Sequence, residues 1–522
     1  MHRAWMPGLG LMVVGTTGCF VTPFKPPPAG IVRQLLPPSP NEPGPTPERL
    51  PEVPRSRLAP TTAPGTSAST STTPLQLGDV LLSVDQGFPL LLAILEERTI
   101  ASGQRLAAEG AFDTNLVSRQ NLTDGTYTNN RFDLMLEQAS PVHGVNFFGG
   151  YRKSNGDFPV YYGDRKTGEN GELRGGFLIP LLRNGPIDKN RALLRQAQIS
   201  ESLADPVIQA ARLSFLRAGA QAYWLWVASG ERFRIEDDLL KIARERQTGI
   251  ETLVKAGQRP EIESIDNRRS IVEREGRLIA AERSVQQAAI TLSLYYRDSS
   301  GYPLVPTESQ LPRTFIQMKP EQPKSELLKQ DIETAYSNRP ELMRFQLLKE
   351  RVSVDLQLAE NTNLPTLSGG LSGFQDFGKG KETAGSPFDS QALEANVLFS
   401  MPLQFRQARG DQQRFRGALM QLQMQEQFQR ENIGAEVQDA VSNLDRSYAR
   451  YVKAQEEAEI AQRVVQLEKT RFESGGGTIL EVNLRELAAA DAQRRVVDAL
   501  TDYYRASADY RAALGLDNVQ QR

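Results

Sequence analysis

Side chains able to do chemistry are scarce in this chain, and their positions narrow what it can do. Among 522 residues there is one cysteine, Cys19, and there are two histidines, His2 and His143. A Ser-His-Asp or Cys-His pair would have to use His143, which lies in a Gly-, Asn- and Phe-rich stretch without a nucleophile motif. A single thiol rules out a disulfide framework or a cysteine-rich metal site within one chain. The run Gly475-Gly476-Gly477 is no phosphate loop, because the lysine and the preceding strand that such a loop needs are missing. No catalytic, cofactor or metal site is expected, and the chain is read as a non-enzyme.

Cys19 is then the one candidate for covalent modification. It follows a short apolar run, Leu9 to Val14, and the small residues Gly15-Thr16-Thr17-Gly18. The layout is similar to a bacterial lipoprotein signal, in which the cysteine becomes the acylated first residue of the mature chain. Thr16 stands where a branched apolar residue is usual, and Pro7, Gly8 and Gly10 interrupt the apolar core, so an ordinary secretory signal is the alternative. Acylation would anchor the chain to a membrane surface by about 0.8 kcal/mol per buried CH₂. Residues 1–18 are read as the signal and 19–77 as the anchor and a linker. Sixteen of the 32 prolines lie before residue 78, a composition that cannot bury enough surface to fold alone.

Charge names no partner. The net charge is −2 with 24% charged residues, which leaves no basic footprint for nucleic acid or acidic lipid. No run reaches the roughly 18 to 20 apolar residues of a spanning helix, so any crossing of a bilayer must be made by strands.

The elements that would carry such strands repeat with an offset near 218 residues. One unit occupies 78–300 and the other 328–515, with a connector at 301–327 and a tail at 516–522. Each has a helix-like stretch (Leu91 to Asn115; Ile332 to Asn361), a Gly-rich strand-like region (Gly144 to Leu182; Leu367 to Leu403) and two long helical arms. The arms break at Gly257-Gln258-Arg259-Pro260 and at Gly475-Gly476-Gly477. In the second unit Val437, Leu444, Tyr451, Ala458, Val465 and Phe472 recur every seventh residue, a coiled-coil seam. The matching seam is Gly219, Trp226, Phe233, Leu240, Gln247 and Val254. Ile271, Leu278, Val285 and Leu292 mark one returning arm, and Ala492, Ala499, Ala506 and Ala513 the other. No proline follows Pro402, so a helix can run from about Leu403 to Ser474, on the order of 100 Å. Pro206 should kink the first arm or mark its start.

Leu393, Ala395, Val397, Phe399, Met401 and Leu403 alternate with more polar residues, and Val145, Phe147, Gly149 and Tyr151 do so less regularly. About ten residues with one apolar face suit a barrel strand. Two strands per unit give four, too few to enclose a lumen, since even eight leave an interior that side chains fill. Tyr161-Tyr162 and Phe147-Phe148 could form an interfacial aromatic belt, with loop packing as the alternative. Trp224 and Trp226 beside Tyr223 are read as packing.

This layout resembles the TolC-type outer membrane factor family over roughly residues 90 to 515. The resemblance rests on Asn338-Arg339-Pro340-Glu341-Leu342, Pro365, Ala222-Tyr223-Trp224, Gly476-Gly477-Thr478-Ile479-Leu480-Glu481-Val482 and Leu514-Gly515. It implies a mainly α fold with a transmembrane β part: duplicated long helical hairpins forming a coiled-coil tunnel, and four strands per chain contributing to a homotrimeric 12-stranded β-barrel.

The function it implies is passive export across periplasm and outer membrane, as the channel of a tripartite efflux or type I secretion system. A periplasmic adaptor and an inner membrane pump, proton-driven or of the ABC type, would be its partners. Gly257, Arg259, Gly475, Gly476, Gly477 and Thr478 would meet the adaptor at the hairpin tips. Glu263 and Glu481, each six residues after a tip glycine, would narrow the pore as rings of like charge. A second family carboxylate would fall at Leu484 and the gate arginine at Gly477, so the gate departs from the pattern, and bonds such as those of Arg259 could hold it instead. The competing reading is a non-channel periplasmic lipoprotein whose coiled coils act as a spacer or scaffold.

Overall fold

The computed structural model describes residues 73–158, 166–313, 315–323, 325–379 and 390–517. Cys19 and the pair Tyr161-Tyr162 lie outside the described residues. Helices α1 (Leu77–Gly87), α2 (Pro89–Leu95) and α3 (Glu97–Glu109) precede strands β1 (Asn115–Thr123), β2 (Asn129–Ala139), β3 (Asn146–Gly156) and β4 (Glu172–Pro180). The long helices α4 (Lys189–Lys255) and α5 (Glu261–Ser293) form the first hairpin. After a connector come α6 (Leu328–Asn338), α7 (Pro340–Thr362), β5 (Thr366–Asp376), β6 (Gln391–Ser400) and the second hairpin, α8 (Arg406–Glu473) with α9 (Ile479–Ala513).

Local chemistry explains the boundaries. Asp188 caps α4 by accepting the Arg191 N–H at 2.9 Å. Pro206 therefore does not start the arm, and the helix continues through it. Its flanks are held by packing, since Ala204 and Ile208 bury themselves against Ala101 of α3. Pro340 occupies the first turn of α7, where a missing N–H costs nothing, and splits the expected helix 332–361 in two.

Both hairpins turn on a left-handed glycine, Gly257 at φ 70° and Gly475 at φ 79°. Around each, two backbone bonds satisfy the last carbonyls of the arm: Gln258 N–H to Leu253 O and Gly257 N–H to Val254 O, both 2.9 Å, and Gly476 N–H to Arg471 O and Gly475 N–H to Phe472 O, both 3.0 Å. Nothing lies within 4 Å of a Cβ built at either glycine. Conformation alone therefore selects the residue.

The heptad seams are the core. Val437, Leu444, Tyr451 and Val465 are buried on α8, as are Ala492, Ala499, Ala506 and Ala513 on α9. The largest apolar cluster gathers Trp226, Val227, Leu292, Phe315, Val497 and Leu500 from both hairpins and the connector. Trp224 stacks on Tyr504 with centroids 4.3 Å apart and planes 14° from parallel, which answers the aromatic cluster with packing.

Among the described residues the sheet is an antiparallel meander of six strands in chain order, where four were expected. Strands β3 to β6 fall in the Gly-rich regions. Strands β1 and β2 form a further hairpin from 115–139, just past the end of α3. In β2, Phe132, Leu134 and Leu136 alternate with Arg131, Asp133 and Glu137, a period-two signal that the sequence carried. In β1 only Leu116 and Leu122 mark the apolar face.

Candidate functional site

The two tips are joined. Ile250 of α4 packs with Ile479 and Val482 of α9, and all three are buried, with Val254 and Phe472 against them. Arg259 spans the gap between hairpins: its guanidinium donates to the Phe472 carbonyl at 3.2 Å, lies 4.4 Å from that residue's ring centroid, and approaches Glu263 at 3.4 Å. Gly257, Arg259, Gly475, Gly476, Gly477 and Thr478 are thus brought to one end of the hairpin pair.

The two acidic candidates differ in setting. Glu263 is 13% exposed and faces Arg259, which stands in the tip just before the N-cap Pro260 of its helix. Glu481 is 41% exposed and closes a capping box, accepting the Thr478 backbone N–H at 2.9 Å and its hydroxyl at 3.2 Å. The Thr478 backbone N–H, then its hydroxyl, hold the Glu481 carboxyl below the usual carboxylate range. A lowered folded-state pKa means the cap is fully formed above the ordinary glutamate range and is lost as pH falls through the lowered value. Leu484 is exposed. No arginine stands at Gly477, but Arg471 reaches the same loop, donating to the Gly476 carbonyl at 3.1 Å and lying 3.4 Å from Glu468 and 3.9 Å from Glu481.

Above the tips lies a buried ionic cluster that sequence reasoning missed. Glu486 of α9, 3% exposed, pairs with Arg246 of α4, with Arg274 of α5 at 3.3 Å and with Lys469 of α8 at 3.4 Å. Arg246 also donates to Asn483 Oδ1 at 2.7 Å and Arg274 to the Leu239 carbonyl at 2.6 Å. One carboxylate thereby ties all four arms. Its signal was available, because Glu486 falls on the stripe of Val482, Ala489, Ala490 and Val497, where a charge is out of place.

At the other end, the strands join directly onto α3, α4, α7 and α8. Pairing puts Leu116, Leu136, Gly149, Gly175, Gly373 and Leu393 in one row across all six strands. Its large members are exposed, Leu116 by 68%, Leu136 by 52% and Leu393 by 74%. Phe147, Phe177 and Leu371 form the neighbouring row on the same face. The opposite face carries Arg119, Asp133, Arg152, Glu172 and Asp376 in register. There Arg152 lies 2.5 Å from Asp133 and 3.7 Å from Glu172. A sheet with one exposed apolar face and one ion-paired face suits a wall between lipid and water. No single helix among the described residues is long and apolar enough to cross a membrane.

Residues 332–516 match the family described as outer membrane efflux protein. No curated protein sequence matches the chain. Among solved structures, a membrane protein from Pseudomonas aeruginosa is 15% identical, with 87% of this chain and 99% of that one covered at TM-score 0.57. The outer membrane protein VceC of Vibrio cholerae is 16% identical over 84% and 96% of the two chains at TM-score 0.57. The open-state outer membrane channel MtrE of Neisseria gonorrhoeae is 13% identical over 84% and 89% at TM-score 0.58. Residues 332–516 match the outer membrane efflux protein family, and the fold, long helical hairpins with a β-sheet at one end, is that of solved outer membrane channels such as VceC and MtrE.

Proposed function

We propose that this protein is the outer membrane channel subunit of a tripartite efflux or type I secretion system, a homotrimer through which substrates pass passively. The observation that carries this reading is the sheet with an exposed apolar face and an ion-paired face, set at one end of two helical hairpins joined at their far tips. Assembly is supported by unpartnered apolar residues along the arms. Ile262, Ile265, Val272 and Ile279 are 57–67% exposed on α5, and Ile460 and Leu467 are 59% and 65% exposed on α8. Both series follow helical spacing, the mark of seams awaiting a neighbouring helix. A periplasmic adaptor would meet the tips at Gly257, Arg259, Gly475 to Gly477 and Thr478, and an inner membrane pump would feed the tunnel.

Glu263 and Glu481 would form the constriction in the trimer, with Arg259 holding the two tips together until partners pull them apart and Arg471 bracing the second tip from within. The test is conductance of the purified oligomer in planar bilayers. The trimer should conduct cations preferentially and be blocked by divalent ions. Glu481→Gln with Glu263→Gln should weaken that block several-fold, and glutamine leaves an acceptor for the Thr478 cap. Unchanged block would remove the constriction role, and absence of conductance from a stable oligomer would favour the scaffold reading.

Cys19 would carry the lipid that tethers the chain to the outer membrane. Labelling of cells with radioactive palmitate should tag the wild-type protein and leave Cys19→Ser unlabelled. Equal labelling of both would end the claim.

A further inference from the structure

We infer that the base of the sheet, where strands meet helices, holds a binding site for amphipathic anions: solutes with an apolar body and one anionic group. The inference deepens the channel reading above, on which its water-facing setting rests, by naming a class of cargo.

A hollow of about 720 Å³ opens there, within the size range of small-molecule sites. Its floor is made by the strand ends nearest the helices. Asn146 pairs with Leu178, and Ser368 pairs with Pro180 and with Leu398. Asn146, Leu178 and Ser368 stand an even number of residues from Arg152, Glu172 and Asp376 on the same strands, so the floor belongs to the ion-paired face. Here that face turns apolar. Leu178 and Leu398 are 38% and 59% exposed, and Leu358 of α7 and Phe415 of α8 line the same hollow. On a lipid-facing surface such residues would be expected, whereas on the water side they leave apolar surface with nothing to bury it. β4 is paired on both sides, so Leu178 lies away from the sheet edges, where a neighbouring copy would meet it.

The charges around the hollow select the sign of the ligand. The carboxylates that line it are taken. Asp188 accepts the backbone N–H and the guanidinium of Arg191 at 2.9 and 2.7 Å, Asp355 accepts from Gln196 Nε2 at 2.6 Å, and Asp411 lies 3.2 Å from Arg414. The Arg414 guanidinium also sits over Phe415, 4.4 Å from its ring centroid. Arg183 and Lys189 line the hollow too, and neither has an ion-pair partner among the described residues. Two cations with open donors beside an apolar floor suit a carboxylate, sulfonate or phosphate carried on an aromatic or branched body.

The experiment measures binding of naphthalene-2-sulfonate to the purified full-length oligomer by titration calorimetry, with naphthalene-2-methanol as its uncharged counterpart. The sulfonate should bind saturably and about tenfold more tightly than the alcohol, the scale of one charge-assisted hydrogen bond. Arg183→Gln with Lys189→Gln should remove that advantage and leave the alcohol unchanged. Leu398→Asn should weaken both ligands several-fold. None of these side chains is buried, so the variants should keep the wild-type thermal midpoint. In planar bilayers the sulfonate, added on the barrel side, should interrupt the current, and the double variant should relieve this while retaining divalent block at the tips. Equal binding of sulfonate and alcohol, or sulfonate binding that both variants leave unchanged, would overturn the site in a channel that still conducts. Sulfonate binding of the expected kind by an oligomer that does not conduct would uphold the site and overturn the channel reading.

Discussion

Replacing Glu486 by alanine should destabilise the folded chain by about 3–5 kcal/mol, the range for removing one partner from a buried ion pair. The carboxylate is shared by Arg246, Arg274 and Lys469. Arg274 is only 2% exposed. Burial pulls its pKa below the ordinary arginine value, opposed by the charge and hydrogen bond of Glu486. After truncation Arg274 would keep its bond to the Leu239 carbonyl but lose the opposing charge, and it cannot shed its own proton near neutral pH. The thermal unfolding midpoint should fall sharply. Adding Arg274→Met to Glu486→Ala should recover part of the loss, since the double variant buries one uncompensated cation fewer. Glu457 is the control. It pairs with Arg495 at 2.6 Å with both side chains about half exposed, so Glu457→Ala should barely move the midpoint. Equal shifts for Glu486→Ala and Glu457→Ala would show that the cluster is not a structural tie.

This cluster also marks the limit of what the sequence discloses. Periodicity finds Val437, Leu444, Tyr451 and Val465 because each apolar residue carries its own evidence of burial. Gly257 and Gly475 are equally legible, because a left-handed turn that ends a helix selects glycine locally. The partners of Glu486 are not local: Arg274 lies 212 residues away, and only the packing of two hairpins brings it within reach. The sheet divides the same way. Strand β6 shows four alternating apolar positions, Leu393, Ala395, Val397 and Phe399, whereas β1 shows Leu116 and Leu122 separated by Ser118 and Gln120. Its identity as a strand comes from pairing with β2, a tertiary fact. Arg259 falls between: its place in a tip could be read from Gly257 and Pro260, but its grip on Phe472 of the other hairpin could not.

Trp226→Ala should cost about 3–5 kcal/mol, the range for deleting a buried aromatic side chain with partial collapse of the cavity. Trp226 is completely buried in the cluster that joins α4, α5, α9 and the connector, so no solvent-facing route exists for neighbours to relax into the space. Its indole N–H has no hydrogen-bond partner among the described residues. Trp226→Phe therefore removes ring volume and an unsatisfied donor together, and these effects oppose one another. The phenylalanine variant should lose roughly 1 kcal/mol or less by that balance. Thermal midpoints of the two variants, read by loss of helicity, test the ordering. Leu444 occupies the equivalent seam position of the second unit and is 8% exposed, with a smaller side chain, so Leu444→Ala should cost less than Trp226→Ala. The asymmetry follows from how the two seams diverged. Gly219, one heptad before Trp226, lets Val84 of α1 approach within 3.1 Å of where a Cβ would stand, whereas Val437 fills its own seam. The first hairpin is thereby packed against α1 with Trp226 at the centre of the joint, and an alanine there should loosen both at once.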